Sequence, residues 1–491
     1  MSTSVIVNAD TPARTTAPAT LSRLSIVGYG AGDAANNLAF TTATMFLLVY
    51  YTDVAGISAA AAGTLLLVVR IFDAFADVFA GRIVDRAYSK RFGKFRPFIM
   101  FGSIPLLLLS AATFSVPQIG ESGMLIYAYC TYAALGLAYS LVNIPFGSMA
   151  GAMTQSPTGR AKLASARTIG GMVVGAGLGI FVAPLIVPGA DLQATFTIMT
   201  LSFVVIGTAL YMFTVFTAKE QVVRTVNQLS LKQSLSTLKG NKPLFMLCIS
   251  SFVFLTGYLA LTTVQLYYLR DVLNALPLYA ALSIFQIVAT FGLAVFIPAI
   301  VRKFGKRAAY MAGCGIMAAG GLVVFFAPAT MAWLGFSGLA VCMVGIILVN
   351  MLVWALEADT VEYGEWKTGI RAEGMTYALF SFTRKTGQAV GGALAAFSLA
   401  WGGYAAGETV QSASAELGIR AGAGLVPLVA SLIAVAVMIF YPLTDKRHAI
   451  IVAEIAARRA GTEDGEPPID PSLSTASFRA YRPGSTPPSV D

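Results

Sequence analysis

Arg70, Asp73 and Asp77 fall within VRIFDAFADVFAG, residues 69–81, whose other members are almost all apolar. Carboxylates four residues apart share one face of a helix, and an arginine three before the first lies on roughly the same face. Two acids in such a setting can hold a metal cation by their oxygens. They also suit proton pickup, which a buried carboxylate beside a like charge favours. The third reading is structural: a salt bridge that locks two helices, with Arg70 as a partner.

Three further clusters have comparable chemistry. In GYGAGDAANNLAF, Asp33, Asn36 and Asn37 share a face by i, i+3, i+4 spacing. Amides both donate and accept, so they suit a polyhydroxy ligand, or else they join helices. In GLAYSLVNIPFGS, Gly136, Tyr139, Ser140, Asn143 and Gly147 fall on one face. The two glycines leave room for a ring, and Pro145 is expected to kink or open the helix and free a carbonyl. In TYALFSFTRKTGQAVGG, Tyr377, Ser381, Arg384, Lys385 and Gln388 form a polar face with two adjacent cations. Arg167 stands at the start of another apolar stretch, and its planar fork matches a carboxylate.

The elements that carry these residues are membrane helices. The 491-residue chain is 56% hydrophobic and 12% charged, against about 25% charged in a soluble protein. Apolar runs exceed about 18 residues and short alternating segments are absent, which selects helices over barrel strands. About twelve spans are expected, near 27–51, 58–84, 97–116, 123–152, 167–187, 194–217, 243–268, 276–301, 308–327, 332–358, 375–402 and 421–443. A charge at a helix centre costs about 2.5–3.5 kcal/mol. Arg70, Asp73 and Asp77 together would cost roughly 8–10 kcal/mol unpaired, comparable with the stability of a domain. They must face the protein interior.

Net charge is +9, and its placement is informative. Arg86, Lys90, Arg91, Lys94 and Arg96 follow the second span; Arg302, Lys303, Lys306 and Arg307 follow the eighth; Lys219, Arg224, Lys232, Lys239 and Lys242 fill the central loop. By contrast VPQIGES and VPGADLQA carry no Lys or Arg. The asymmetry places both termini in the cytoplasm of a multi-pass inner-membrane protein. It also accounts for the charge without nucleic acid. The first 24 residues are polar and show no signal-peptide h-region. Acidic residues Glu357, Asp359, Glu362 and Glu365, with Arg371, are expected to form a gate's salt bridges with the basic loops.

The halves echo each other. RFGK at 91–94 follows the second span and KFGK at 303–306 the eighth; R-x-x-G starts at Arg167 and again at Arg384. The expected organisation is a polar tail (1–24), six helices (25–217), a cytoplasmic loop (218–242), six more (243–443) and a second tail (444–491). That tail begins basic and helical and ends Pro/Ser-rich, a composition of disordered chain. Two parallel six-helix halves place a substrate between them near mid-membrane. Cys130, Cys248, Cys314 and Cys342 lie in apolar helices without CxxC spacing, so they read as packing residues. The sole histidine, His448, lies past the last span, which excludes a histidine metal site and a membrane histidine relay. No catalytic constellation, cofactor motif or metal site is expected.

YYTDVAG, RIFDAFADVFAGRIVD, GKFRPF, YSLVNIPFGS, EADTVEYGEWKTGIRAEG, FTRKTGQ and FYPLTDKRH resemble the glycoside–pentoside–hexuronide:cation symporters, a branch of the major facilitator superfamily. The resemblance spans 27 to about 458. It implies an all-α membrane protein with the major facilitator fold, twelve transmembrane helices in two six-helix halves. It assigns Asp73, Asp77 and Ser140 to cation coupling, and Arg167 and Lys385 to the family's basic site. Sugar-binding aspartates of the melibiose branch match Asn37 and Asn143, amides here. Tyr139 and Gln388 complete the expected substrate set; Asp33, Asn36, Arg70 and Arg384 are accessory.

Losing two negative charges while keeping the cations favours a bound anion. A glucuronide, a sugar with a carboxylate, fits both this count and the resemblance, although the count alone permits any sugar acid. The expected function is therefore import of a glucuronide with a coupling cation, H+ or Na+. The alternative is symport of a neutral glycoside such as a xyloside or galactoside. Where the melibiose branch has an asparagine this chain has Ala76, which offers no oxygen to sodium. Uptake into vesicles should thus respond to a pH gradient and be nearly indifferent to sodium; strict sodium dependence at fixed pH would overturn the proton assignment.

Overall fold

A computed structural model describes residues 21–461 apart from 87–91, 155–156, 188, 221–237, 239, 371–372 and 409. Expectations for most of the N-terminal tail, most of the central loop, Lys90, Arg91, Arg371 and the Pro/Ser-rich end lie outside the described residues. In lipid a backbone N–H or C=O finds no water, so each span must close its own hydrogen bonds. The described chain is accordingly helical: α1 (Arg23–Val49), α2 (Ala59–Arg86), α3 (Arg96–Thr113), α4 (Glu121–Met153), α5 (Pro157–Gly177) and α6 (Leu192–Thr217). After the central loop come α7 (Lys242–Tyr267), α8 (Leu278–Phe304), α9 (Lys306–Phe326), α10 (Ala332–Thr368), α11 (Glu373–Gly402) and α12 (Ala413–Ile439). A short helix, α13 (Asp445–Gly461), follows.

Ten of the helices are long and apolar enough to cross a membrane. The other two long ones, α1 with 27 residues and α11 with 30, miss on composition. They carry Asp33, Asn36 and Asn37, and Arg384, Lys385 and Gln388. The polar residues that lower their hydropathy are the candidate site itself. Pro145 lies inside α4, which runs unbroken from Glu121 to Met153. The expected opening of the helix there does not occur.

Helix packing repeats between halves. α1 packs on α5 and α6 as α7 packs on α11 and α12, and α3 pairs with α4 as α9 pairs with α10. At the crossings glycine removes the side chain: a Cβ at Gly170 would strike the Gly30 carbonyl of α1, and one at Gly387 the Phe252 carbonyl of α7. The RFGK and KFGK echo is a repeated turn. Gly93 (φ 86°) and Gly305 (φ 83°) both take the left-handed conformation, open to glycine without a Cβ penalty. An acid beyond the sixth helix of each half then binds the following amides. Glu220 accepts from Lys94, Phe95 and Arg96, and Asp445 accepts from Lys306.

Two seams join the halves, α2 with α11 and α5 with α8. Gly63 of α2 meets Ala396 of α11, and Gly179 beyond α5 meets Tyr279 and Ser283 of α8. Both contacts lie toward the bundle end remote from the chain termini. On α8 only Tyr279, Leu282 and Ser283 are buried. Beyond Ser283 no residue of α8 is buried; Phe285, Ile297, Ile300 and Val301 are partly covered, and the helix also packs on α9 and α10 of its own half. The α5–α8 seam is therefore closed at the remote end and splayed toward the termini.

The remote end is latched by two matching turns. α1 runs into a π-turn, Tyr50–Val54 (YYTDV), and α7 into another, Tyr268–Val272 (YLRDV). Arg270 lies 2.7 Å from Asp53 of the other half and 2.7 Å from Asp271. Tyr404 receives a hydrogen bond from Arg270 at 2.7 Å and donates to Asp53 at 3.0 Å. One cation thus serves two carboxylates, all three side chains only 5% exposed. Arg270→Gln strands both acids and should lower stability by about 3–5 kcal/mol. Asp53→Asn leaves the Arg270–Asp271 pair intact and should cost far less. Thermal unfolding of the purified variants checks this asymmetry; equal losses would refute it.

Candidate functional site

The first cluster joins α1 to α5. Arg167 donates from Nε to Asp33 Oδ1 at 2.7 Å, and its guanidinium lies 5.5 Å over the Phe146 ring. Asn37 donates to Asp33 Oδ2 at 3.0 Å and accepts from Thr41 at 2.8 Å. Asp33 is buried, so Arg167 and Asn37 supply the donors that water would otherwise give. Asn36 faces away from this group. Its amide accepts from Tyr211 of α6 at 2.9 Å and donates to the Gly32 carbonyl at 3.1 Å, which makes it a helix-to-helix link.

The second cluster joins α2, α4 and α11. Ser140 donates to Asp77 Oδ1 at 2.6 Å, and the Lys385 ammonium bonds directly to Asp77 Oδ2. Since α2 and α11 belong to different halves, this ion pair crosses between them. Arg70 lies 3.8 Å from Asp73 and stacks over Phe40 at 5.0 Å. Asp73 is buried against Gly136, where any side chain would overlap its carboxylate. Its Oδ1 has no hydrogen-bond partner, and neither does the buried Oδ1 of Asn143. Tyr139 stacks on Phe40 at 5.4 Å and lines a small cavity shared with Arg70 and Asp73.

A cavity of about 230 Å³ lies between the halves. Asn37 and Thr41 of α1 border it from one side, Tyr258, Thr262 and Gln265 of α7 and Gln388 of α11 from the other. The α7 residues and Gln286 of α8 were not singled out in the sequence. Tyr258, Thr262 and Gln265 lie on one helical face by spacing of four and three, a signal diluted by the apolar residues around them. Gln265 is buried and its Oε1 has no partner. Arg384 does not border this cavity but lies one turn before Gln388 on α11, 5.1 Å over Trp354 and 5.8 Å over Phe380.

Other polar groups are structural. Lys306 pairs with Asp359, and His448 of α13 lies 2.5 Å from Glu362 and 3.5 Å from Asp359. All belong to the second half, so these acids tie α10 to α9 and α13 rather than gating one half against the other. His448 thus lies with Asp359 and Glu362 in a group whose ligand atoms could hold a metal ion, against the expectation that its place beyond the last span excludes a histidine metal site. The Lys306 ammonium already neutralises Asp359 there. Cys248, Cys314 and Cys342 are buried free thiols, whereas Cys130 is exposed rather than packed.

Fold and site together define a multi-pass membrane transporter with a polar chamber between two helical halves. Residues 28–445 match the family described as MFS/sugar transport protein, and the chain belongs to that family. It is 46% identical over 443 residues to the glucuronide carrier protein homolog of Escherichia coli (strain K12), covering 89% of this chain and 96% of that one. It is 35% identical over 446 residues to the putative 2,3-dihydroxypropane-1-sulfonate exporter of the same organism, covering 88% and 95%. The crystal structure of a bacterial homologue of the iron transporter ferroportin shares the fold, with TM-score 0.63 at 14% identity over 86% of this chain and 99% of that one. The relatives and the fold are those of transporters, not enzymes.

The Asp77–Lys385 pair carries its own test. Lys385→Gln leaves a partly buried carboxylate with one hydroxyl donor and should cost about 1–3 kcal/mol. Adding Asp77→Asn removes the stranded charge and should restore much of that loss. A double variant less stable than the single one, in thermal unfolding, would show that the two side chains do not act as a pair.

Proposed function

We propose that the protein imports a glucuronide-type glycoside by symport with a cation, through alternating access. The observation that carries this reading is the ion pair between Asp77 and Lys385. Asp77 also accepts from Ser140, so its carboxylate has the donors of a small cation site, and the lysine ammonium stands where the coupling cation would bind. A proton or metal ion on Asp77 removes the charge that holds Lys385. The freed ammonium then turns to the substrate's carboxylate. Substrate binding and cation binding become one event, which is what symport requires: a ligand shifts an equilibrium only through its differential affinity for the states.

The sugar occupies the chamber between Asn37 and Gln388, whose amides match hydroxyl groups. Arg167 and Asn143 act on it from the first half, with Tyr139 as an aromatic wall. A ring stacked on an aromatic face gains apolar contact while its edge stays hydrogen-bonded. The named relatives support an anionic polyol: one carries a glucuronide in its name and the other a sulfonate. Basic loops support an orientation with the termini in the cytoplasm of the inner membrane. On that orientation the splayed α5–α8 seam opens inward, and the Asp53–Arg270 latch closes the outer end.

Labelled glucuronide uptake into membrane vesicles tests the whole reading. With Asp77→Asn, accumulation driven by a gradient should fall to the level of equilibration, an internal-to-external ratio near one. Exchange of labelled for unlabelled substrate across the membrane should persist. Normal concentration of substrate by the variant would show that Asp77 is structural.

A further inference from the structure

Central charges in this bundle pair off with one exception. Asp33 is matched by Arg167, Asp73 by Arg70 and Asp77 by Lys385. Arg384 is the fourth cation, and it has no ion pair or hydrogen bond among the described residues. Its guanidinium rests on Trp354 and Phe380 alone.

The internal repeat explains how this arose structurally. Arg167 and Arg384 each open an R-x-x-G on the fifth helix of their half, and each glycine marks the crossing with the first helix of that half. Three residues beyond the crossing on α1 stands Asp33, the partner of Arg167. Three residues beyond the crossing on α7 stands Leu255, and α7 holds no acidic residue before Asp271. The second half keeps the arginine and lacks its acid.

The aromatic support around Arg384 is not sealed. Trp354 and Tyr377, stacked at 5.6 Å, are 42% and 53% exposed. One turn further along α11, Gln388 borders the chamber. A cation left over in an apolar setting, with its ring supports open, requires an anion from outside the fold.

We propose that Arg384 is a standing anion-selecting residue beside the chamber, one turn from its Gln388 wall, holding the carboxylate of the bound glycoside through its guanidinium. This rests on the glucuronide reading above and deepens it. Lys385 reaches the substrate only after Asp77 is neutralised, and Arg167 shares its charge with Asp33, which accepts from its Nε. Arg384 needs no such release. Its planar fork matches a carboxylate in two parallel hydrogen bonds, with the sugar's hydroxyls directed to the amides of Gln388 and Asn37.

Binding of phenyl β-D-glucuronide and phenyl β-D-glucoside to the full-length protein in detergent, by isothermal titration, tests this. The two ligands differ only in the charged group. The intact protein should prefer the glucuronide by roughly ten- to hundredfold, the range a charge-assisted hydrogen bond supplies. In Arg384→Gln the preference should collapse to within about threefold, through weaker glucuronide binding with the glucoside little changed. Arg384→Met keeps the stacked stem without the charge and gives the same readout should the glutamine variant not fold. Equal weakening of both ligands, or an intact preference, would overturn the role of Arg384. No preference in the unmodified protein would instead overturn the glucuronide reading itself.

Discussion

Everything in this bundle follows from the cost of a charge in a medium of low dielectric. Asp33 and Asp73 are buried among apolar helices, and Arg70, Asp77, Arg167, Arg384 and Lys385 are half-buried there. Such pairs are poor sources of net stability, because desolvation consumes most of the attraction. Removing one partner is nevertheless expensive. The consequence is a structure in which each charge dictates where another must be. Asp33 with Arg167 fixes α1 against α5, and Asp77 with Lys385 fixes α2 against α11. The second pair crosses between the halves, so a change of charge on Asp77 changes an ion pair that joins them.

Internal duplication lets one solution be used twice. Glycine crossings, left-handed turns after the second and eighth helices, and acidic caps after the sixth and twelfth recur in matching places. The departures are where the chemistry concentrates. YYTDV has Thr52 where YLRDV has Arg270, and that one difference supplies the cation for two acids at the closed end. The arginine of the first half has an acid and its counterpart in the second has aromatic rings. A symmetric scaffold with asymmetric charges can close one end and select an anion at its centre.

The chamber itself is built from groups that bind weakly one by one. Asn37, Gln388, Gln265 and Thr262 offer uncharged donors and acceptors. Hydroxyl groups of a sugar meet such partners at little desolvation cost, whereas charges would hold it too firmly for release. On the proposed reading, selection for charge and accommodation of hydroxyls fall to different residues on neighbouring turns of α11.

The sequence by itself determined the membrane class, the helical character and the duplication, because hydropathy and repeated motifs are properties of order along the chain. It also singled out Asp73, Asp77, Lys385 and Arg167, since a charge in an apolar run demands an explanation, and each of them has an ion-pair partner in the structure. Helix ends were less legible. α5 begins at Pro157 and α10 runs to Thr368, about ten residues past the apolar stretches, because a helix continues into water where hydropathy stops reporting it. Which charge meets which was decided only in three dimensions. Spacing put Asn36 and Asn37 on one face, yet packing sends the first to Tyr211 and the second to Asp33. The YYTDV and YLRDV latch, the α7 wall of the chamber and the unmatched Arg384 all depend on helices far apart in sequence coming together. Pairing is a property of distance, and distance between helices is set by how glycines and side chains pack, which no local pattern records.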